Sequence, residues 1–392
     1  MNTKYSQIYL DYNATTPCDE AVVAAMLPYF SQDFGNASSG HHPYGWLAMD
    51  AIEETTNTIA ASLDISPKEI TYTSGSTESI NSILKGVFQA RKAKRNHIIT
   101  SKAEHKAVLD VCASLEKEGA EITYLDVDVS GLIDIAQLEA AISEQTSIVA
   151  LMLANNETGV IQPLEAIANL CNTNGCLLFS DATQALGKIP LYGFFECVDF
   201  ACFSAHKIYG PKGIGFTYSK SSTTKALGAY IHGGGQQEGR RGGTYNTPAI
   251  IGKGIALELA LKQQQEITVR LSQLRNHLQE GLSTIEESVV NCASVNRLPN
   301  TLNMSFKYVD GQQLLRALSR HLAISNGSAC NSAAVNPSHV LTAMGISKAL
   351  AFSSLRFSLG KYTTAQEIEK TIAIVIEEVA KQRASNILWE RR

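Results

Sequence analysis

The chain has 392 residues, of which 44% are apolar and 18% charged, with a formal net charge of -4. That is the balance of a globular protein long enough to bury a large core in two structural units, and it leaves no basic footprint for direct nucleic-acid binding. No stretch approaches the roughly 18 uncharged apolar residues of a membrane span, and Met1–Tyr5 runs into Ile8-Tyr9-Leu10 without an apolar signal core, so a soluble, cytoplasmic protein with no membrane partner is expected.

From about residue 50 to 220, short apolar runs alternate with helical patterns. Glu69–Tyr72, His97–Thr100, Glu121–Tyr124 and Ser147–Leu151 read as strands, several of them apolar on both faces. Cys176–Phe179 and Asp199–Phe203 continue the series. The alternation predicts an α/β domain with a mostly parallel sheet. A long helical stretch over about 255–287 leads to a second unit with strand candidates Thr301–Phe306 and Ser354–Ser358 and a last helix over about 364–384. There is no internal repeat or low-complexity segment. The eight cysteines are scattered and mostly apolar in context, as reduced core residues are. Cys171 and Cys176 lack the second ligand pair that a metal site needs, so no metal is expected.

Several segments carry chemistry. Thr73-Ser74-Gly75-Ser76-Thr77-Glu78 follows a strand and opens a helix, offering free N–H groups and hydroxyls to an anion, phosphate above all. The same residues also read as a plain capping box. His105 follows the strand at Ile98–Thr100, at the sheet end that lines the crevice of open α/β folds. Asn155-Asn156-Glu157 follows the next buried strand. Asp181 and Lys207 then emerge from neighbouring strands in Asp181-Ala182-Thr183-Gln184 and Ser204-Ala205-His206-Lys207. A carboxylate and an amine so placed are what pyridoxal 5'-phosphate (PLP) needs: the lysine condenses with the aldehyde, and the acid pairs with the ring nitrogen. That pairing tips the Ser76 turn toward phosphate, with Ser204 and His206 near enough to join it. Gly210–Gly215 reads as a hairpin connection, not a nucleotide loop.

Three later segments stand out. Gly233–Thr244 is glycine-dense yet carries Arg240 and Arg241, as loops at sites and interfaces do. Asn326-Gly327-Ser328-Ala329-Cys330 sets a cysteine among small polar residues, the setting of a reactive thiol. Arg356 is a candidate fork for a substrate carboxylate.

Taken with Tyr9-Leu10-Asp11-Tyr12-Asn13-Ala14-Thr15-Thr16-Pro17, these motifs resemble the NifS/IscS-type cysteine desulfurases over nearly the whole chain. The resemblance implies the aspartate-aminotransferase-like fold type I of PLP enzymes, with a large domain over 17–258 built on a mostly parallel seven-stranded sheet. The smaller α+β domain would comprise 1–16 and 259–392 and carry the cysteine loop. It implies that Lys207 holds PLP, Asp181 pairs with its ring nitrogen, Gln184 bonds its hydroxyl and His105 stacks on the ring and moves protons. Ser76, Thr77, Ser204 and His206 would hold the phosphate, joined by Thr244 from the other subunit of a homodimer. Asn156 and Arg356 would bind the carboxylate of L-cysteine, and Cys330 would take the sulfur as a persulfide for an acceptor protein. Selenocysteine lyase or an aminotransferase are the rival reactions on this fold; a loop thiol favours the desulfurase.

Two segments depart from the family pattern: Asn326 and Asn331 replace a Ser and a Thr, and Gln237-Glu238 stands where Glu-Arg is usual. The chain ends soon after Trp389, short of the scaffold-docking tail of housekeeping members. Together these predict a dedicated acceptor in a specialised pathway such as DNA phosphorothioate modification, against a housekeeping iron-sulfur or tRNA-thiolation donor.

Overall fold

Twelve strands are present in a computed structural model that describes residues 6–224, 227–326 and 337–390. They are β1 (Ile8–Tyr9), β2 (Ile70–Thr73), β3 (His97–Ser101), β4 (Glu121–Leu125), β5 (Thr146–Ala150), β6 (Leu177–Asp181), β7 (Phe200–Ser204), β8 (Gly215–Ser219), β9 (Ser288–Val290), β10 (Thr301–Phe306), β11 (Leu322–Ala323) and β12 (Ser354–Ser358). Seven form one sheet in the order β2-β8-β7-β6-β5-β3-β4. All its neighbours run parallel except β8, which is antiparallel to both β2 and β7. The β7–β8 connection is thus of hairpin type, and the strands of the sequence reading recur within a residue or two.

The near-continuous apolar runs follow from burial on both faces. Ile98, Ile148 and Leu177 point to one core, against Ile80, Ile83, Leu84, Val87 and Phe88 of the helix Ser76–Arg91. Their neighbours Ile99, Val149 and Leu178 point to the opposite core, which the helices Pro43–Leu63 and Leu164–Asn174 cover. Successive side chains of a strand alternate faces, so each such pair feeds two layers, with roughly 1.5–3 kcal/mol of transfer free energy per buried aliphatic side chain. β2 and β4 are the edges.

The helix Thr247–Ser283 joins this body to the rest. Ala249, Ile250, Ala256 and Leu257 belong to the large core, whereas Leu271, Leu278 and Leu282 pack with β10 and β12 and with Ile368, Val375 and Val379 of the helix Ala365–Ala384. The helix starts earlier than its apolar periodicity suggests. Its start is signalled by capping chemistry instead: Asn246 accepts from the Ala249 N–H, and proline occupies the first turn. β9, β10 and β12 form a three-stranded antiparallel sheet, and β1 pairs in parallel with β11. The helices Glu20–Met26 and Pro43–Leu63 were not anticipated; exposed Leu27, Trp46 and Leu47 blur their amphipathic pattern. Among the described residues no helix is long and apolar enough to cross a membrane.

Candidate active site

β2, β3, β5, β6 and β7 all end at the same side of the sheet, and a pocket of about 760 Å³ opens there. Its walls include Ser76, Thr77, His105, Asn156, Asp181, Gln184, Ser204, His206, Lys207 and Arg356. Ten of the residues singled out from sequence therefore converge, as expected of the crevice beyond the carboxyl ends of parallel strands.

At one end lies the start of the helix Ser76–Arg91. The Ser76 N–H donates to Ser204 Oγ at 2.9 Å, and Ser76 Oγ lies 2.6 Å from Thr183 Oγ1 and 3.0 Å from Ser204 Oγ. Three hydroxyls thus meet at a helix N-terminus, a donor set suited to a phosphate. Gly75, at φ +150°, makes the close approach possible: a Cβ there would strain the backbone and sit 3.3 Å from Ser204 Oγ. His206 is tied to Thr15 Oγ1 at 3.1 Å through Nδ1. Burial, then the charges of Lys207, Lys212 and Lys188, push its pKa down to about 4, so it is a neutral ring.

Lys207 follows β7 in the 3-10 turn Ala205–Lys207. Its Nζ donates to the carbonyls of Asn13 and Ala14 at 2.6 and 2.7 Å. Burial and the Arg356 charge lower its pKa to about 8, against opposing pulls from Asp181 and Asp11. Asp181 ends β6 and accepts from the Thr183 N–H at 2.9 Å. Gln184 Nε2 donates to the Asn13 carbonyl at 2.9 Å, while its Oε1 accepts from Lys188 Nζ at 2.5 Å. Lys188 thereby fixes which way the Gln184 amide faces.

His105 caps the helix Lys106–Glu116, its Nδ1 accepting from the Ala107 N–H at 3.1 Å. Nε2 therefore carries the proton of the neutral ring. Burial lowers the His105 pKa; Asp181 pulls it upward and Lys207 down. Arg356, on β12, donates from Nη2 to Asp11 Oδ1 at 2.6 Å and from Nη1 to the Asn156 carbonyl at 3.1 Å. Its Nε is buried with no partner among the described residues. The donor set fits a substrate carboxylate at this end and PLP at the other.

Two site residues of the sequence reading stand apart. Thr244 is exposed and does not line its own chain's pocket. Cys330 lies outside the described residues. Four contributors were missed: Asp11, Asn13, Thr183 and Lys188. Asp11 and Asn13 belong to the Tyr9–Pro17 motif, but nothing in sequence aims them at residues nearly 200 to 345 positions away.

The chain belongs to the class V aminotransferases, whose family model matches residues 8–371. It is 46% identical over 384 residues to the cysteine desulfurase IscS of Anaeromyxobacter sp. (strain Fw109-5), covering 98% of this chain and 95% of that one. Among solved structures, a NifS-like protein superposes with a TM-score of 0.89 at 36% identity, covering 96% of this chain and 100% of that one. DndA from Streptomyces lividans superposes with a TM-score of 0.76 at 35% identity, covering 90% and 99%. Within the family the protein is a PLP-dependent enzyme of the NifS/IscS cysteine desulfurase type, with PLP fold type I.

Proposed function

We propose that this pocket binds PLP and L-cysteine and that Cys330 takes the substrate sulfur as a persulfide while L-alanine leaves. The observation that carries the reading is the meeting, at one end of the sheet, of Lys207, Asp181, a hydroxyl-lined helix N-terminus and the Arg356 guanidinium. When bound, PLP supplies an electron sink for negative charge on the substrate α-carbon. Lys207 would hold its aldehyde end, Asp181 its ring nitrogen and Gln184 its ring hydroxyl. Ser76, Thr77, Ser204 and His206 would hold its phosphate. Arg356 and Asn156 orient the substrate carboxylate. His105, with Nδ1 committed to the helix, is left with Nε2 to stack at the ring and pass a proton. The Cys330 thiolate forms a sulfur–sulfur bond as the substrate carbon–sulfur bond breaks, and the carbon keeps the electron pair and takes a proton.

Cys330→Ser separates this from the rival reactions. It should stop alanine release and persulfide formation while the visible PLP absorbance persists; sulfide release that survives the change sinks the reading. Lys207→Ala should cost the colour.

The same reading makes the protein a homodimer. Leu27, Phe30, Phe34 and Trp46 are 59%, 63%, 63% and 51% exposed, an apolar surface suited to a second copy. Thr244, away from its own pocket, would serve the partner's phosphate. A sedimentation mass of one chain would refute this. The large domain would end at residue 258, with the helix Thr247–Ser283 crossing into the smaller one. For the acceptor we propose a dedicated protein of a specialised pathway such as DNA phosphorothioate modification, on the strength of the departures around Asn326 and Gln237. The 46% identity to IscS favours a second reading, a housekeeping sulfur donor. Mass spectrometry of candidate acceptors after incubation with cysteine decides between them, by which acceptor cysteine gains sulfur. A cytoplasmic location belongs to the same proposal.

A further inference from the structure

Gln237 holds a sheet edge with its side chain. β2 is an edge strand of the seven-stranded sheet, paired on its other side with β8. The Tyr72 N–H donates to Gln237 Oε1 at 2.6 Å, and the Tyr72 carbonyl accepts from Gln237 Nε2 at 2.9 Å. One carboxamide thus takes the place of a neighbouring strand's peptide and closes an edge that would otherwise be open to pairing. Only an amide does this: a carboxylate could accept from the N–H but would set a second oxygen against the Tyr72 carbonyl.

The backbone is strained to make the contact. Gln237 and Glu238 are consecutive non-glycine residues at φ +51° and +58°. Each such residue costs on the order of 1 kcal/mol or more and persists where its surroundings over-determine it. Here the Gln237 N–H is also held by Tyr245 Oη at 3.0 Å, and the Gly243 N–H by Gln236 Oε1 at 2.8 Å. Farther along the same segment, Arg241 Nε donates to Glu78 Oε1 at 2.9 Å and Nη2 to Oε2 at 3.3 Å. Glu78 Oε2 in turn accepts from the Ser74 N–H at 2.9 Å. The segment therefore grips the chain just before the Thr73–Gly75 turn, at Tyr72, and just after it, at Glu78. Between the two grips lies the helix start with the Ser76 hydroxyl.

We propose that Gln237 is a positioning residue: together with Arg241 it straps the phosphate-binding turn into the shape that receives the cofactor. The proposal rests on the assignment of PLP phosphate to the Ser76 helix start. It also gives the Gln237 departure from the family's usual glutamate a physical consequence.

The test uses the cofactor-free full-length protein. Hydrogen exchange of a peptide covering β2 and the turn is followed by mass spectrometry, and PLP binding by quenching of protein fluorescence. Gln237→Glu and Gln237→Met should both speed β2 exchange roughly tenfold and raise the apparent PLP dissociation constant roughly tenfold, the scale of a lost buried hydrogen bond. Arg241→Gln keeps the edge closed, so it should leave β2 exchange at the wild-type rate and still weaken PLP binding. Wild-type exchange in Gln237→Glu overturns the proposal, and so does faster exchange with unchanged PLP affinity. A wild-type protein that fails to bind PLP would refute the cofactor reading instead, while the exchange comparison would still report on the edge.

Discussion

Arg356, which lines the pocket, and Asp11 form an ion pair at 2.6 Å across 345 positions of the chain. Asp11 sits in the Leu10–Pro17 segment, which also supplies the carbonyls that hold Lys207. The pair fixes the guanidinium plane, the Asn156 carbonyl takes a second nitrogen, and Nε is buried without a partner among the described residues. Arg356 also lines the pocket, so its guanidinium is the charged donor a substrate carboxylate would meet there. Arg356→Lys keeps the charge but loses the fork. Steady-state alanine formation should show kcat/KM for cysteine lowered by roughly 10- to 150-fold, about 1.5–3 kcal/mol, mostly through KM. An unchanged KM would move the carboxylate site elsewhere.

Lys207 gives a pH dependence. Burial and then Arg356 bring its pKa down to about 8, so the free amine dominates above that pH and the ammonium below it. Only the free amine condenses with an aldehyde. The rate of PLP capture by the cofactor-free protein, followed by absorbance, should rise through about pH 8 and level off above it. A midpoint near the ordinary lysine value of 10.5 would contradict the environment described for this amine.

His105 has two duties that one substitution can separate. It caps a helix through Nδ1, and it faces the pocket. His105→Asn preserves a good capping acceptor but no titrating ring. Stability should stay within about 1 kcal/mol of wild type. The rate constant kcat should fall by roughly 10²–10⁴-fold while PLP absorbance is retained. A thermal melt and a single-turnover assay on the same sample check both halves.

What the sequence makes legible is chemistry that is local. Strands buried on two faces announce themselves as unbroken apolar runs, and Asp181, Ser204 and Lys207 lie at or just past the ends of such runs. Gly75-Ser76 is legible because a turn and a helix start are adjacent in sequence. The supports are not local. Asn13 bonds Gln184 and Lys207 across 171 and 194 positions, and Gln237 reaches Tyr72 across 165. No periodicity encodes such a contact. Lys188 illustrates the difficulty best: nothing around it in sequence names a partner, yet from a half-buried position its Nζ holds both Gln184 and Asn13.

Lys253 is the one fully buried lysine whose Nζ has no hydrogen-bond partner among the described residues. It lies in the helix Thr247–Ser283 with Nζ 3.4 Å from the ring centroid of Phe216 and 5.5 Å from that of Tyr72. A cation over two rings gains up to about 2 kcal/mol, whereas an unpaired buried ammonium costs several kcal/mol. Desolvation wins, and burial sets the Lys253 pKa well below its ordinary value. Between the lowered native pKa and the unfolded one, the unfolded chain therefore holds more proton at this position than the native one. Stability must then rise with pH until the unfolded lysine itself deprotonates, at about pH 10.4. Lys253→Met fills the same space without a proton to lose. Urea unfolding at pH 7 should show the variant more stable by on the order of 1–3 kcal/mol, with the gap narrowing as pH approaches 10. A variant less stable than wild type at pH 7, or a gap that does not change with pH, would mean that Lys253 is charged in the native protein and that the two rings hold it as a cation.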